Sequence, residues 1–294
     1  MATREVVYVL LLIWPLGTLE SRRYHMTREI RTIIAAAVAL TIGAEAAGRS
    51  TIASFDASGG LLPTQVCWSL NDTTGGAVPI INDGDGLDIG PTTTGGVTQF
   101  QLVPKAFSFD DGASIAANLL VISSTYLLQN GYQRAGYYIG LRDGVGRYAL
   151  LGIASDRVLL HTADFNPRDL TYLFDSTNGF HTYELQFSGD TVQALIDGTT
   201  VLTHSVGTTG LSYATIAFFG DASIVASSTT ETSWVQANGV YTCPSADLDG
   251  DCTVTGADLA ILLGAWGTAG CIADLNFDGV VNGADLALLL GEWS

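Results

Sequence analysis

The chain has 294 residues, of which 34 are glycine, and its 12 lysines and arginines are outnumbered by 29 aspartates and glutamates, giving a net charge of −17. This charge argues against nucleic acids and anionic membrane surfaces as partners, because both are negatively charged. The length allows one large domain and one small one, and the glycine content together with a single lysine, Lys105, favours a turn-rich β protein.

Two apolar stretches open the chain, at 6–14 and 33–42, and both are shorter than the roughly 20 residues of a membrane-spanning helix. The second has the pattern of a signal peptide, with a start at Met26, two arginines before the apolar run, and Ala-Glu-Ala at 44–46 as the cleavage site. We expect residues 1–46 to be an upstream extension and signal peptide, and the mature protein to be exported without membrane insertion. An uncleaved N-terminal anchor is the alternative.

Between residues 47 and 241 the sequence alternates between turns and short runs rich in valine, isoleucine, tyrosine, phenylalanine and threonine. Seven such runs are AGYYIGLRDG, GRYALLGIA, RVLLHTAD, HTYELQFSG, TVQALIDG, TTVLTHSV and YATIAFFGD. Their spacing of about ten residues and turns such as Asp197-Gly198 predict an antiparallel meander that closes into a two-sheet sandwich.

The stretch from 180 to 206, FHTYELQFSGDTVQALIDGTTVLTHSV, resembles the concanavalin-like (laminin G-like) jelly-roll family. In that family a strand with H-x-Y, a Gly-Asp turn, a strand with a buried aliphatic residue and a D-G turn follow one another in this order. The resemblance implies a mainly β, jelly-roll sandwich. It leaves the ligand open, because members of the family include carbohydrate-binding proteins, glycosidases and structural proteins.

The sandwich sequence contains no recognisable catalytic motif. Retaining glycosidases of this fold carry an ExDxE strand that places two carboxylates about 5 Å apart, and neither Glu184 nor Glu231 lies in such a motif. Asp110 and Asp111 would point to opposite faces if they lay on a strand. No GxSxG elbow accompanies the histidines, and ordinary strand positions are expected for His161, His181 and His204. We therefore predict no catalytic residues.

Two further sets of side chains have a functional and a structural interpretation. The acidic run Asp83, Asp85 and Asp88 indicates a surface turn, with an additional calcium site as the alternative. Aromatic rings and arginines are the groups that stack on and hydrogen-bond to sugars. The candidates are Tyr132, Arg134, Tyr137, Tyr138, Arg142, Arg147 and Trp234, with core and rim positions favoured for the tyrosines and arginines.

The four cysteines are Cys67, Cys243, Cys252 and Cys271. An even number in an exported chain is typical of disulfides, and three pairings are open. The pairing of Cys67 with Cys243 and of Cys252 with Cys271 is the most economical, because the former would join the ends of the large domain. A zinc site is not predicted, since no histidine or CxxC motif lies nearby.

The C-terminus contains a duplication in which residues 247–267 and 274–294 are identical at 13 of 21 positions. Each copy has acidic or amide residues at positions 1, 3 and 5, a polar residue at 9 and an aspartate at 12, which is the spacing of a twelve-residue calcium loop. The predicted ligands are Asp247, Asp249, Asp251, Thr253, Thr255 and Asp258 in the first loop, and Asp274, Asn276, Asp278, Val280, Asn282 and Asp285 in the second. Thr253 and Val280 would contribute their backbone carbonyls. Two calcium ions are thus expected.

The two loops differ at position 6, where the chain must turn sharply. The second loop has Gly279 there, whereas the first has Cys252. A left-handed turn costs a non-glycine residue about 1 kcal/mol, so weaker binding is expected in the first loop.

Apolar residues recur at helical spacing behind each loop, as Leu259, Leu262, Leu263 and Trp266, and again as Leu286, Leu289, Leu290 and Trp293. Each loop therefore leads into an amphipathic helix. The helices are short, so we expect them to bury these stripes against each other once metal fixes the loops, which makes the calcium structural.

This duplicated loop-helix pattern resembles the type I dockerin, the calcium-dependent module by which secreted polysaccharide-degrading enzymes dock onto cohesin domains. The resemblance covers residues 242–294 and implies a small α-helical module with a cohesin-like or cell-surface partner. The chain departs from that pattern at loop positions 10 and 11, where glycine and alanine replace the usual hydroxyl residues, and its helices lack lysine and arginine. Structural capping is therefore an alternative role.

The sequence as a whole predicts three segments: 1–46, removed on export; 47–241, the sandwich; and 242–294, the calcium module. The leading function is non-catalytic binding of a polysaccharide, or adhesion, with the module as the attachment. The alternatives are a polysaccharide-degrading glycoside hydrolase and a structural envelope or matrix protein.

Overall fold

The main body of the described residues consists of two antiparallel sheets that enclose a hydrophobic core. The computed structural model describes residues 50–66, 68–76, 78–92, 95–102, 107–129, 132–163, 170–208, 215–240, 244–249, 253–268 and 272–294. Its strands are β1 (Ser50–Asp56), β2 (Ser69–Asp72), β3 (Ile80–Asn82), β4 (Leu87–Ile89), β5 (Thr98–Leu102), β6 (Ala113–Ser124), β7 (Tyr126–Gln129), β8 (Tyr132–Ala135), β9 (Tyr137–Arg142), β10 (Tyr148–Ile153), β11 (Arg157–Thr162), β12 (Thr171–Leu173), β13 (Phe180–Ser188), β14 (Thr191–Ile196), β15 (Thr199–Ser205), β16 (Ile216–Asp221) and β17 (Ser228–Gly239).

The first sheet, called sheet A, has the strand order β15-β14-β13-β6-β17-β4-β3, and β1 also pairs with β17. The second, sheet B, has the order β12-β11-β10-β9-β16-β5-β2. Strands β7 and β8 form a separate hairpin. All of these pairings are antiparallel, so the predicted class of fold, a mainly β antiparallel sandwich, is confirmed.

The seven sequence runs named above coincide with β9, β10, β11, β13, β14, β15 and β16. They were recognisable because inward and outward positions alternate, as in β13, where Tyr183, Leu185 and Phe187 are buried and the residues between them are half-exposed. Phe187 stacks on Phe109 with ring centroids 4.0 Å apart. Burial of such a ring contributes roughly 1.5 to 3 kcal/mol.

The central strand β17 lacks a simple apolar pattern. Its inward positions include the hydroxyl residues Thr230 and Thr232, both fully buried, and the Thr232 hydroxyl lies 2.9 Å from that of Tyr137 on the opposite sheet. Because threonines occupy core positions here, hydrophobic periodicity does not reveal β17, although this strand pairs with β6 along its length.

Asp110 and Asp111 do not lie on a strand. Both belong to a 3₁₀ turn, Phe109–Asp111, whose N-cap Ser108 accepts a hydrogen bond from the Asp110 amide. The turn forms because the Ser108 hydroxyl satisfies the Asp110 amide at its N-terminus locally.

The C-terminal module contains two helices, α1 (Gly256–Gly264) and α2 (Gly283–Gly291). Thr255 and Asn282 are their N-caps, and Asp258 and Asp285 complete a capping box at each. The module has a hydrophobic core of its own, formed by Ala246, Leu248, Val254, Leu262, Ala273, Val281 and Leu289. Among the described residues no helix is long and apolar enough to cross a membrane.

The prediction that both full apolar stripes are buried is wrong in part. Leu262 and Leu289 are fully buried, but Leu263 is 52% and Leu290 54% exposed, and Trp266 and Trp293 lie beyond the helix ends and are also exposed. The reason is the buried Asp258, which lies four residues before Leu262 and hence on the same helix face. Turning that carboxylate into the loop rotates Leu263 outward, and Asp285 has the same effect on Leu290.

Candidate functional site

The first predicted calcium loop gathers three of its expected ligands. One carboxylate oxygen each from Asp247, Asp249 and Asp258 lies within 4.8 Å of the others, and Asp247 and Asp258 are buried. Asp258 Oδ1 accepts hydrogen bonds from the amides of Leu248 at 2.6 Å and Asp249 at 3.1 Å. The loop is thereby folded onto the start of α1. Of the remaining predicted ligands, Thr255 caps α1 and Thr253 is exposed.

The second loop closes in the same way around Asp285. Its Oδ1 accepts from the amides of Leu275 at 2.7 Å and Asn276 at 3.2 Å, and its Oδ2 accepts from Asn282 at 2.8 Å. Gly279 turns with a φ of 88°, in the left-handed region that glycine occupies without strain.

The other side chains of the second loop form hydrogen bonds within the loop. Asp274 Oδ2 accepts from the Gly279 amide at 2.9 Å, while the Asn276 side-chain amide donates to Asp278 Oδ2 at 2.9 Å. Asn282 donates to the Val280 carbonyl at 3.0 Å. Burial, and then the charges of Asp285 and Asp278, raise the pKa of Asp274. Negative charge is therefore concentrated at this loop.

The donor set of both loops suits calcium. It consists of carboxylate, amide, hydroxyl and carbonyl oxygens, which a hard divalent cation prefers, and it contains no sulfur or imidazole nitrogen among the described residues. Buried carboxylates such as Asp247 and Asp274 are costly without a compensating charge. Asp251, Cys252 and the other three cysteines lie outside the described residues, as do residues 1–49.

Most of the predicted sugar-binding side chains have structural roles. Tyr137 and Tyr138 are buried, and the Tyr138 hydroxyl accepts a hydrogen bond from the Ala135 amide at 3.0 Å. Arg147 is buried over the Phe109 ring, 5.5 Å from its centroid. These residues are therefore core or rim, as the structural interpretation expected.

Trp234 is the exception and lies half-buried on the outer face of sheet A. It is directly opposite Asp56 of β1 on one side and Asn118 of β6 on the other. Asn118 is in turn opposite Thr182 of β13, and its side-chain amide donates to the Thr182 hydroxyl at 3.2 Å. We call these four residues the Trp234 row.

The two glutamates of the sandwich are far apart. Glu184 of β13 is at the level of Gln236 of β17, whereas Glu231 is at the level of Phe180. The offset of four residues and two strand spacings puts their Cα atoms about 16 Å apart. Side chains stand roughly perpendicular to a sheet, so the two carboxylates are separated by a similar distance. Retaining and inverting pairs require carboxyl groups roughly 5 to 9.5 Å apart, so these glutamates do not form such a pair.

Another carboxylate pair was missed by the sequence analysis. Asp88 of β4 is directly opposite Glu231 of β17 on the outer face of sheet A. Burial, and then the charge of Asp83, raise the pKa of Asp88. No motif could have indicated this pair, because 143 residues separate its members.

Among the histidines, His161 is fully buried, and burial followed by the charge of Arg134 lowers its pKa to about 4. His181 lies between Asp197 and Asn178, with each of its ring nitrogens 2.6 Å from one of their oxygens. His204 is half-buried on β15. All three occupy strand positions, as expected.

The sequence pattern also did not indicate that one aspartate, Asp221, is buried. Asp221, the last residue of β16, is completely buried, and its Oδ1 accepts a hydrogen bond from the Ser223 amide at 2.9 Å. Burial raises its pKa to about 7. The residue follows an apolar run, so in the sequence it looks like the first residue of a surface turn.

Solved structures of similar fold include the carbohydrate esterase vb_24B_21 from the Shiga toxin-encoding bacteriophage phi24B, with 17% identity, a TM-score of 0.47 and coverage of 66% of this chain and 100% of that chain. Apo Crh5 transglycosylase has 14% identity, a TM-score of 0.45 and coverage of 67% and 87%. The catalytic domain of an endo-1,3-beta-glucanase from Thermotoga petrophila has 9% identity, a TM-score of 0.41 and coverage of 65% and 98%. No family model and no curated protein matches the chain. These likenesses are loose, and the assignment of the sandwich rests on its own two sheets.

Proposed function

We propose that this is an exported protein whose sandwich binds carbohydrate without cleaving it, and whose C-terminal module, loaded with two structural calcium ions, attaches it to a cohesin-like protein or a cell surface. Export is supported by the signal-peptide pattern at 26–46. The attachment role is supported by the module's exposed apolar side chains.

The Trp234 row carries the carbohydrate part of the proposal. A half-exposed indole provides a flat apolar surface for a sugar ring, and the adjacent carboxylate of Asp56 and amide of Asn118 can hydrogen-bond its hydroxyls. The row crosses four neighbouring strands, a span of about 14 Å, which is enough for a short oligosaccharide.

Attachment is supported by the outward side chains of the two helices. Leu263 and Trp266 are exposed on α1 and just after it, and Leu290 and Trp293 repeat them at α2. Exposed large apolar groups of this kind, with tryptophan among them, are typical of protein–protein contact surfaces. Residues 244–294 contain no lysine or arginine, so a partner with basic residues around an apolar patch is favoured.

A glycan array probed with the calcium-loaded chain, in parallel with an assay for released reducing ends, tests the carbohydrate part. We expect retention of at least one glycan without hydrolysis, and loss of retention in Trp234→Ala. Retention that survives this substitution would remove the Trp234 row from the proposal. If no glycan is retained, the structural envelope or matrix role is favoured instead.

One observation favours glycoside hydrolysis as a second candidate function. Asp88 and Glu231 face each other, and the pKa of Asp88 is raised. Glycoside hydrolysis uses two such groups, a general acid and a second carboxylate. Release of reducing ends that is abolished by Glu231→Gln, but not by Glu184→Gln, would establish this candidate and overturn the non-catalytic one.

A further inference from the structure

We propose that a cavity at the rim of the sandwich, between the β10–β11 turn and the residues after β12, binds a sugar unit that carries a protonated amino group. The cavity measures about 330 Å³ and is lined by Ser155, Asp156, Leu173, Phe174 and Asp175. This inference rests on the carbohydrate binding proposed above, to which it adds a second site and a charge class.

The two walls of the cavity are fixed to each other. The Phe174 amide donates to the Asp156 carbonyl at 3.0 Å, and the Ser176 amide donates to the Ser155 carbonyl at 2.9 Å. The Phe174 ring packs edge to face against His181, with centroids 4.8 Å apart. A ligand would therefore lose little affinity to ordering of these walls.

The apolar lining suits the face of a sugar ring. Phe174 is half-buried, and Leu173 beside it is 71% exposed, an unusual position for a leucine. Sugar rings present C–H groups on one face, and aromatic and aliphatic side chains cover such faces in binding sites.

An ion pair at the cavity offers donors and acceptors for hydroxyl groups. Arg157 Nε and Nη2 donate to the two carboxylate oxygens of Asp156 at 2.9 and 2.6 Å, and the guanidinium lies 4.1 Å from the centroid of the Tyr126 ring. This bidentate, stacked arrangement holds both charged groups in a defined orientation. Its charges cancel, so it fixes a ligand's orientation without selecting its charge.

Asp175 provides the charge selection. Its Oδ1 accepts hydrogen bonds from the side chain and the amide of Thr177, at 2.7 and 2.9 Å, and these bonds lower its pKa. No described residue donates a hydrogen bond to its Oδ2, so this wall presents an ionised oxygen to the ligand. An ammonium group gains Coulomb energy there, whereas a uronate or a sulfate is repelled by Asp175 and by a chain of net charge −17.

The cavity is close to the end of the Trp234 row. His181, which packs against Phe174, immediately precedes Thr182, the last member of that row. Because neighbouring residues of a strand point to opposite faces, His181 lies on the same side of β13 as the buried Tyr183, whereas Thr182 lies on the outer side. The cavity is therefore a separate site from the Trp234 row.

Calorimetric titration of the full calcium-loaded chain with glucosamine oligomers, their N-acetylated counterparts and oligogalacturonate tests the proposal. We expect glucosamine oligomers to bind at least tenfold more tightly than the acetylated ones at low salt, and oligogalacturonate not to bind. Asp175→Asn should remove this tenfold preference, as should 0.5 M salt. Leu173→Ser, a change at an exposed position that should fold normally, should weaken both amino sugars. Asp111→Asn removes an exposed carboxylate on another turn and should leave all affinities as in the wild type.

The outcomes separate the two proposals. If the wild type binds amino sugars and both cavity variants bind them equally well, the cavity assignment is wrong while the carbohydrate function stands. A preference for oligogalacturonate would overturn the charge class. If the wild type binds none of these oligomers and retains nothing on the array, the proposed function itself fails.

Discussion

The imidazole Nδ1 of His181 lies 2.6 Å from Oδ2 of Asp197, so the first strand of the H-x-Y pattern is joined directly to the D-G turn that follows it. Asp197 Oδ1 also accepts the Thr182 amide at 2.9 Å. This contact explains the spacing between the H-x-Y pattern and the D-G turn. Asp197 fixes the register of β13 against β14 at the end of their hairpin.

Replacement of Asp197 by alanine should lower the free energy of unfolding by about 1 to 3 kcal/mol, since it removes both hydrogen bonds. Urea denaturation measures the change. Asp197 has a φ of 49°, and Asp197→Gly relieves the backbone strain while losing the same bonds. An alanine variant as stable as the wild type would show that these hydrogen bonds contribute nothing. Asp85→Ala, at an exposed position, is the control.

Asp221 should make the sandwich less stable as the pH rises. Burial raises its pKa to about 7 in the folded chain, above the value of roughly 3.9 in the unfolded chain. The folded state therefore holds one more proton between these values, and stability should fall across pH 4 to 7 by up to about 4 kcal/mol and then level off. Asp221→Asn should abolish this contribution, which is read as the difference between the two pH profiles. Parallel profiles would contradict the assignment.

Arg147 should be essential for stability although it lies near the surface. It pairs with the fully buried Asp143 at 2.8 Å and with the exposed Asp110 at 2.7 Å. Arg147→Leu leaves Asp143 without its cation and should cost about 3 to 5 kcal/mol, whereas Asp110→Ala should cost far less, because the Asp110 carboxylate is exposed to solvent. Thermal unfolding of both variants measures the contrast, and equal losses would refute it.

The neighbouring leucines of α1 form a matched pair. Leu262→Ala removes a fully buried side chain and should cost about 2 to 4 kcal/mol in the calcium-loaded state. Leu263→Ala, at a half-exposed position, should cost less than about 0.5 kcal/mol while weakening attachment. The reverse order of stabilities would mean that the helix face is assigned incorrectly.

Calcium removal should unfold the C-terminal module and spare the sandwich. Chelation should expose the amides of α1 and α2 to hydrogen exchange, while the amides of β6 and β17 stay protected. Asp274→Ala should weaken calcium binding more than Cys252→Gly, because Asp274 is buried at the centre of its loop. Unchanged protection of both helices in the presence of chelator would contradict the calcium assignment.

The sequence by itself determined the local features of this protein. The strand runs around β9 to β16, the two loops and the helices that follow them all depend on residues within about a dozen positions, where alternation, turn glycines and ligand spacing leave direct traces.

The tertiary structure decided what depends on distant residues. The buried threonines make β17 a central strand, and the capping carboxylate of Asp258 turns Leu262 inward and Leu263 outward. Asp88 faces Glu231 because β4 pairs with β17. Asp156 and Asp175 line the same cavity because the residues after β12 pack against the β10–β11 turn. Such neighbours have no fixed spacing along the chain, because they are set by the register of the sheets and the closure of the loops.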